Sequence, residues 1–204
     1  MKTKKNNTVN FWNPFEKLAG FRALAIGMVA LTVSVFMGTM FNARFDGLLN
    51  LHFVANANLW LVLIDQLINL LSVSLCFYFM ALILSLGKVR FIDVLGCNAF
   101  ALSPMAILPV VNISGYWSDL SLEIAGKPDM TPRILSNLET GVMIFTVAVA
   151  LVVLIWHVLW LYNGYKVSSG FKGNKLVYSF IAGLVGAILL SKYLVSTFSN
   201  ESMV

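Results

Sequence analysis

Residues 59–86 read LWLVLIDQLINLLSVSLCFYFMALILSL, a run that is apolar apart from Asp65, Gln66, Asn69 and a few small polar residues. An apolar helix needs about 20 residues to cross a hydrocarbon core of roughly 30 Å. At about 1.5 Å per residue this run is longer than the core, so we expect it to tilt, kink or project beyond the bilayer. The run predicts a membrane-spanning helix.

The composition of the whole chain supports this prediction. Of its 204 residues, 59% are hydrophobic and only 11% are charged, whereas a soluble domain carries about 25% charged residues. The net charge is +5, but the cations are spread along an apolar chain and form no basic groove, so nucleic acid is not an expected partner. Two cysteines cannot build a disulfide framework. The chain is therefore an integral membrane protein whose first partner is the lipid bilayer.

Four further stretches are long and apolar enough to span a membrane, and with residues 59–86 they predict an all-α bundle of five helices. They cover residues 23–41, 92–111, 141–162 and 176–195. This single transmembrane domain, 23–195, follows a basic, interfacial segment at 1–22 and precedes a short tail at 196–204. In the first segment we expect Asn13 to cap a helical turn that Pro14 begins, with Phe15 in the headgroup zone as a membrane anchor or a docking motif.

The charges between the spans predict the orientation. With the amino end in the cytoplasm, ten Lys and Arg residues fall on the cytoplasmic side and four on the other side, where most of the acids also lie. The positive-inside rule therefore favours a cytoplasmic amino end and a carboxyl end outside. The first span lacks a cleavage signal, so we expect it to be retained.

The second span carries a line of polar residues. At 100° per residue, Asn58, Asp65, Asn69, Ser72 and Cys76 fall within a stripe about 40° wide. An ionisable residue inside a membrane often marks a path for protons, ions or headgroups. The alternative is that the stripe makes hydrogen bonds that fix helix packing, each worth less than about 2 kcal/mol. The sequence leaves both interpretations open.

Three other features of the spans suggest local roles. His157 is interpreted as an interface histidine in an aromatic belt, with proton transfer as the alternative. Pro104 and Pro109 predict a kink or hinge in the third span. Small residues recur every four positions in the fifth span and predict a helix-packing ridge, whose partner is either inside the bundle or in a second copy; its members are Ser179, Gly183, Ala187 and Ser191.

Sequence signatures of enzymes are absent. There is no H-E-x-x-H, G-x-S-x-G, G-x-x-x-x-G-K-[ST] or G-x-G-x-x-G motif. Two histidines and two cysteines without close spacing do not make a zinc site. We therefore expect a non-enzymatic protein without a metal or another cofactor.

The order of several short motifs resembles the Yip (Ypt/Rab-interacting protein) family of five-span membrane proteins. These motifs are Asn13-Pro14, the basic turn 87–96 (GKVRFIDVLG), Ser103-Pro104 and Trp160-Leu161-Tyr162, and the resemblance covers about residues 11–197. In eukaryotic members it implies vesicle traffic, with a long cytoplasmic segment that contacts small GTPases. Only about 20 residues precede the first span here, so a small GTPase is not an expected partner. The short segments look like the bacterial branch, which implies the bacterial inner membrane.

Two functional hypotheses follow. The first is a membrane organiser or adaptor that acts through helix contacts with a membrane-protein partner or in a homo-oligomer. The alternative is a small transporter or lipid-handling protein that uses the polar face of the second span.

Overall fold

A computed structural model describes residues 12–85, 89–125 and 136–201. After a 3-10 turn at Pro14–Glu16, the described residues form six α-helices, two β-strands and a ten-residue 3-10 segment. Their bounds are α1 Gly20–Met40, β1 Ala43–Gly47, β2 Asn50–Phe53, α2 Leu59–Ser85, α3 Phe91–Ala101, the 3-10 segment Ser103–Asn112, α4 Tyr116–Ala125, α5 Asn137–Ser169 and α6 Gly173–Glu201.

The prediction of five apolar spans is confirmed. Helices α1, α2, α5 and α6 are each long and apolar enough to cross a membrane, and α3 together with the 3-10 segment forms the fifth such span. Most observed helices extend beyond the predicted bounds. The largest difference is in α5, which has 33 residues and is about 50 Å long.

The third span changes its helical type where the prolines lie. The α-helix ends at Ala101, and a 3-10 helix continues with Pro104 in its first turn and Pro109 in its interior. Proline has no backbone N–H to donate and its ring crowds the preceding turn, so an α-helix cannot run through both positions undisturbed. Ser103 Oγ donates to the Phe100 carbonyl at 2.7 Å, which satisfies one of the freed acceptors.

Helices α1 and α3 approach until their backbones touch. A Cβ added at Gly27 would lie 2.5 Å from the Ala99 carbonyl carbon and 2.5 Å from the Phe100 nitrogen. A Cβ added at Gly96 of α3 would likewise overlap the carbonyl oxygen of Gly20 at the start of α1. The two glycines therefore make a seam in which no side chain separates the helices.

The short connection after α1 forms an antiparallel hairpin, which the all-helical prediction did not include. Ala43 pairs with Phe53, Arg44 with His52 and Gly47 with Asn50. Asp46-Gly47 just before the turn is a common hairpin signal. The hairpin packs against α1, α2 and α6, and α4 packs on β2. We call this end of the bundle the hairpin side.

The amino-terminal turn differs from its prediction. Asn13 occupies the N-cap position but makes no capping bond to the backbone; its Nδ2 donates to Glu16 Oε1 at 2.9 Å. Phe15 was expected in the headgroup zone, yet its side chain is fully buried. Its ring contacts Phe100 and Trp160 at centroid distances of 5.6 Å and 5.9 Å. Phe15 therefore belongs to the helix core.

Helix α5 is divided into two unlike halves. Its buried residues all lie between Val153 and Ser169. This half packs against α3 and the amino-terminal turn. The half from Asn137 to Val152 has no fully buried residue, although it is strongly apolar. Helix α5 thus leaves the bundle over the part that lies toward the hairpin side.

Candidate functional site: a polar interior around the hairpin

The hairpin brings a cation to the acid predicted inside the second span. Arg44 Nε donates to Asp65 Oδ2 and Arg44 Nη2 donates to Asp65 Oδ1, both at 2.9 Å. The side chains are only 11% and 3% exposed. Two parallel charge-assisted bonds of this kind are strong and directional. Asp65 is therefore neutralised inside the chain by a residue from β1.

Polar side chains from two helices bind the backbone of the hairpin. Asn69 Nδ2 donates to the Phe45 carbonyl at 3.1 Å, and the Leu48 N–H donates to Ser191 Oγ at 3.1 Å. Backbone groups at membrane depth must be satisfied by the protein because lipid offers no partner. Asn69 lies ten residues into α2, which is about 15 Å along the helix. The hairpin therefore reaches well into the bundle.

The turn of the hairpin is apolar, in contrast to ordinary exposed turns. Phe45 and Leu48 are each only 1% exposed and belong to the hydrophobic core. A turn that ends in water favours Gly, Asn and Asp. Leu48 in this turn is instead buried among helices, whereas Leu49 is half-buried and Asn50 is exposed, so β1 and the first residue of the turn are packed in the core.

The five residues of the predicted polar stripe lie in different surroundings. Asp65, Asn69 and Ser72 are at most 2% exposed and face the interior. Asn58 does not join them, because it is exposed and lies before α2, where its Oδ1 accepts the Trp60 N–H at 2.9 Å. Cys76 is half-buried against Gly186 of α6. The interior of the bundle thus receives three of the five predicted residues.

Further buried amides and hydroxyls join neighbouring helices. Gln66 Nε2 donates to Ser34 Oγ at 2.6 Å and links α2 to α1. Asn98 Nδ2 donates to Ser74 Oγ at 3.4 Å and links α3 to α2. Both are interhelical hydrogen bonds of the kind that holds helix bundles together in lipid, and neither involves a residue of the predicted stripe.

His157 lies in the core, so its interpretation as an interface residue was wrong. Its side chain is 0% exposed, and Nδ1 lies 2.8 Å from the Ala101 carbonyl oxygen at the end of α3. The Ala101 carbonyl is one of those left without a helical N–H partner where α3 ends, so His157 satisfies it as a donor. Among the described residues, His157 and Asp65 make no ion pair with each other.

The small-residue ridge of the fifth span faces the inside of the bundle. Ser179, Ala187 and Ser191 are at most 3% exposed. A Cβ added at Gly183 would lie 2.6 Å from Cδ1 of Phe77 on α2. The ridge therefore packs against α2 and the hairpin of the same chain, so its partner lies inside the bundle.

Arg44 is the partner of Asp65 that sequence reasoning missed. It was counted as a loop cation on one side of the membrane, because nothing in helical periodicity places a loop residue beside Asp65. The alternation of residues 43–47, which ends in the Asp46-Gly47 signal, could have indicated a strand. Even so, the insertion of that strand between helices depends on tertiary packing.

Comparisons with protein-family models, curated proteins and solved structures find no match to this chain. The resemblance to the Yip family therefore rests on the sequence motifs alone. Within the described residues, no group of three or more His, Cys, Asp or Glu side chains is arranged to hold a metal ion.

Proposed function

We propose that the protein is a non-enzymatic, multi-pass membrane protein of the Yip type that acts as an organiser or adaptor for other membrane proteins. The observation that best supports this role is the half of α5 between Asn137 and Val152. It is apolar and of membrane character, yet the described residues of the rest of the chain leave it largely uncovered. A spanning helix that is free on several sides offers surface to a helix of a second protein.

One face of this half is suited to such a contact. Ile144, Leu151 and Ile155 recur at helical spacing and are 66%, 55% and 61% exposed. Gly141 and Ala148 lie close to the same face by helical periodicity. Large apolar side chains beside small ones allow close approach of a second helix, which in lipid depends on packing rather than on the hydrophobic effect.

The experiment places a photocrosslinking amino acid at Leu151 and, as a matched control, at Leu189 of α6. Both side chains are exposed, at 55% and 66% respectively. Irradiation in native membranes followed by mild-detergent extraction is expected to give one discrete protein adduct from position 151 and none from position 189. Lipid adducts alone at both positions would contradict the adaptor proposal.

The alternative function, a small transporter, is supported by the polar interior of the bundle. Asn69 Oδ1 and Ser72 Oγ are buried without a hydrogen-bond partner in the described part of the chain. A wet path along α2 would need the hairpin to withdraw and Arg44 to leave Asp65. Transport predicts that Asp65→Asn abolishes solute flux in reconstituted vesicles without loss of the folded protein, whereas a packing role predicts lower stability.

We also propose that the hairpin side faces away from the cytoplasm of a bacterial cell, in the inner membrane. The other end of the bundle carries a group of basic residues, namely Lys17, Arg22, Arg90, Lys166, Lys172 and Lys175. The positive-inside rule assigns such an end to the cytoplasm. A reporter fused after Val204 is expected to be active only outside the cytoplasm. Cytoplasmic activity of that reporter would reverse the orientation.

A further inference from the structure

The turn between α5 and α6 is a short basic segment at the end of the bundle opposite the hairpin side. It carries Lys166, Lys172 and Lys175 within ten residues, and residues 166–175 contain no Asp or Glu. All three lysines are exposed. Among the described residues, no acid forms an ion pair with any of them. The described part of the chain therefore leaves the positive charge of this turn without a partner.

Lys175 holds one of these ammonium groups in a defined place. Its Nζ donates to the Leu84 carbonyl near the end of α2 at 2.7 Å and lies 4.4 Å from the centre of the Phe171 ring. Phe171 is itself buried, and its ring contacts that of Tyr165 at 6.2 Å. An ammonium group has three N–H donors. After the bond to Leu84, two donors of a positioned ammonium group remain for an anion.

Lys166 ends a line of lipid-facing residues on α5. Leu159, Tyr162 and Lys166 follow one another at spacings of three and four residues, so they lie on one side of the helix. Leu159 is exposed, while Tyr162 is half-buried and packs edge-on against Phe180 of α6. Helix α5 is long and apolar enough to cross a membrane, where exposed apolar side chains contact lipid. The line therefore borders α6 and reaches the basic turn.

Lys175 begins a similar line on α6. Tyr178, Val185 and Leu189 are exposed and share its side of the helix. Lysine side chains at the end of an apolar surface keep their stems on that surface and place their ammonium groups in the headgroup layer. The anionic group of that layer is the lipid phosphate. Because the lysines continue two lipid-facing lines, a lipid fits this turn better than a partner from the aqueous phase.

We propose that the α5–α6 turn binds the headgroup of an anionic phospholipid, for which Lys166, Lys172 and Lys175 supply the positive charge. The acyl chains lie against the lipid-facing lines of α5 and α6. Basic residues at a membrane surface attract acidic lipids. A zwitterionic lipid has the same phosphate, but its own ammonium group would be placed near three others without an acid. The site goes beyond the adaptor function and does not depend on it.

The first experiment compares two lipids that differ in headgroup charge. The full chain is reconstituted in vesicles with equal amounts of dioleoyl phosphatidylglycerol and dioleoyl phosphatidylcholine, extracted in mild detergent and analysed by intact-complex mass spectrometry. We expect phosphatidylglycerol to be retained at least about 10-fold more, and the preference to fall when the extraction contains about 0.5 M salt, because salt screens exposed charges. Equal retention of the two lipids overturns the proposal. Extraction from native membranes with a bound acidic protein and no anionic lipid also overturns it.

The second experiment uses variants matched in charge. Lys166→Gln/Lys172→Gln removes two cations from the turn, whereas Arg22→Gln/Arg90→Gln removes two from the starts of α1 and α3 at the same end of the bundle. One basic residue near an anionic surface contributes about 5-fold to binding. The preference for phosphatidylglycerol should therefore fall at least about 10-fold in the lysine pair and stay within about 2-fold in the arginine pair. Equal losses would assign the attraction to the whole basic end and overturn the site at the turn.

A charge-preserving variant separates lipid binding from folding. Lys166→Arg/Lys172→Arg keeps both positive charges, so it should retain the preference for phosphatidylglycerol; loss of the preference there would contradict a site based on charge. If Lys166→Gln/Lys172→Gln does not fold, Lys172→Gln alone decides the outcome, because Lys172 lies between the two helices. We expect a loss of about 5-fold in that variant, and an unchanged preference would overturn the proposal.

Discussion

The seam between α1 and α3 and the free half of α5 both belong to helices that are long and apolar enough to cross a membrane, but they are packed in opposite ways. At Gly27 an added Cβ would lie 2.5 Å from the backbone of α3, whereas at Gly141 it would meet no atom of the described residues within 4 Å. Helices in lipid gain little from burying apolar surface and associate through close packing and hydrogen bonds. The seam is therefore a fixed scaffold, and the free half of α5 remains available to lipids or a partner.

The largest effect is expected where the scaffold is tightest. In Gly27→Val the new side chain must displace the Ala99–Phe100 backbone, because it would overlap main-chain atoms rather than a side chain that can rotate. Overpacking commonly costs about 1–3 kcal/mol and more where backbone must move, so we expect little folded protein. The fraction folded in a titration of sodium dodecyl sulfate into mild-detergent micelles measures this effect. Near-normal stability of Gly27→Val would show that α1 and α3 are not in contact.

The next effect concerns the hairpin, the second element of the scaffold. Arg44→Met leaves Asp65 buried without its cation, and breaking a buried pair in this way costs about 3–5 kcal/mol. In Arg44→Met/Asp65→Leu both charges are gone, so most of this stability should return. The same unfolding titration, applied to both single variants and the double variant, gives the coupling free energy.

If the single and double variants are equally destabilised, the ion pair does not hold the hairpin. The same variants also separate the two interpretations of α2. If Arg44 and Asp65 have a structural role, the double variant regains stability. If Asp65 is needed for transport, the double variant regains no solute flux.

The difference between local patterns along one helix and contacts between distant elements also explains which features could be predicted from the sequence. Continuous apolar runs define the five spans because their lengths must match the bilayer, and the four-residue spacing around Gly183 indicates a packing ridge. Periodicity gave no sign that Arg44 would meet Asp65, because that contact joins a strand to a helix across the bundle. His157 was misplaced for a similar reason: its aromatic neighbours suggested an interface, but the end of α3 at Ala101 supplies a buried acceptor.

A smaller effect is expected between α2 and α6, where two glycines on one helix form a matched pair. A Cβ at Gly183 would lie 2.6 Å from the Phe77 ring, and one at Gly186 would lie 3.6 Å from Cys76 Sγ, an ordinary contact. We therefore expect Gly183→Ala to lose about 1–3 kcal/mol of unfolding free energy. Gly186→Ala should be neutral or slightly stabilising.

Phe77→Leu tests the cause of that loss. Leucine removes the ring that meets the new methyl group, so Gly183→Ala should cost less in the Phe77→Leu background than in the unaltered protein. Equal costs in both backgrounds would assign the effect to the α6 backbone instead of to the contact with α2.

The smallest effect is expected in the free half of α5 and has the opposite sign. Gly141 is helical and the described residues leave open space around it, so Gly141→Ala removes a flexible residue without a clash against any of them. The substitution should raise the free energy of unfolding by up to about 1 kcal/mol, measured in the same titration as Gly27→Val. A loss of stability on that scale in the isolated protein would mean that another part of the chain packs on Gly141, and the free half of α5 would then belong to the scaffold. A gain in the isolated protein together with loss of the adduct at position 151 in native membranes would place a partner helix against Gly141.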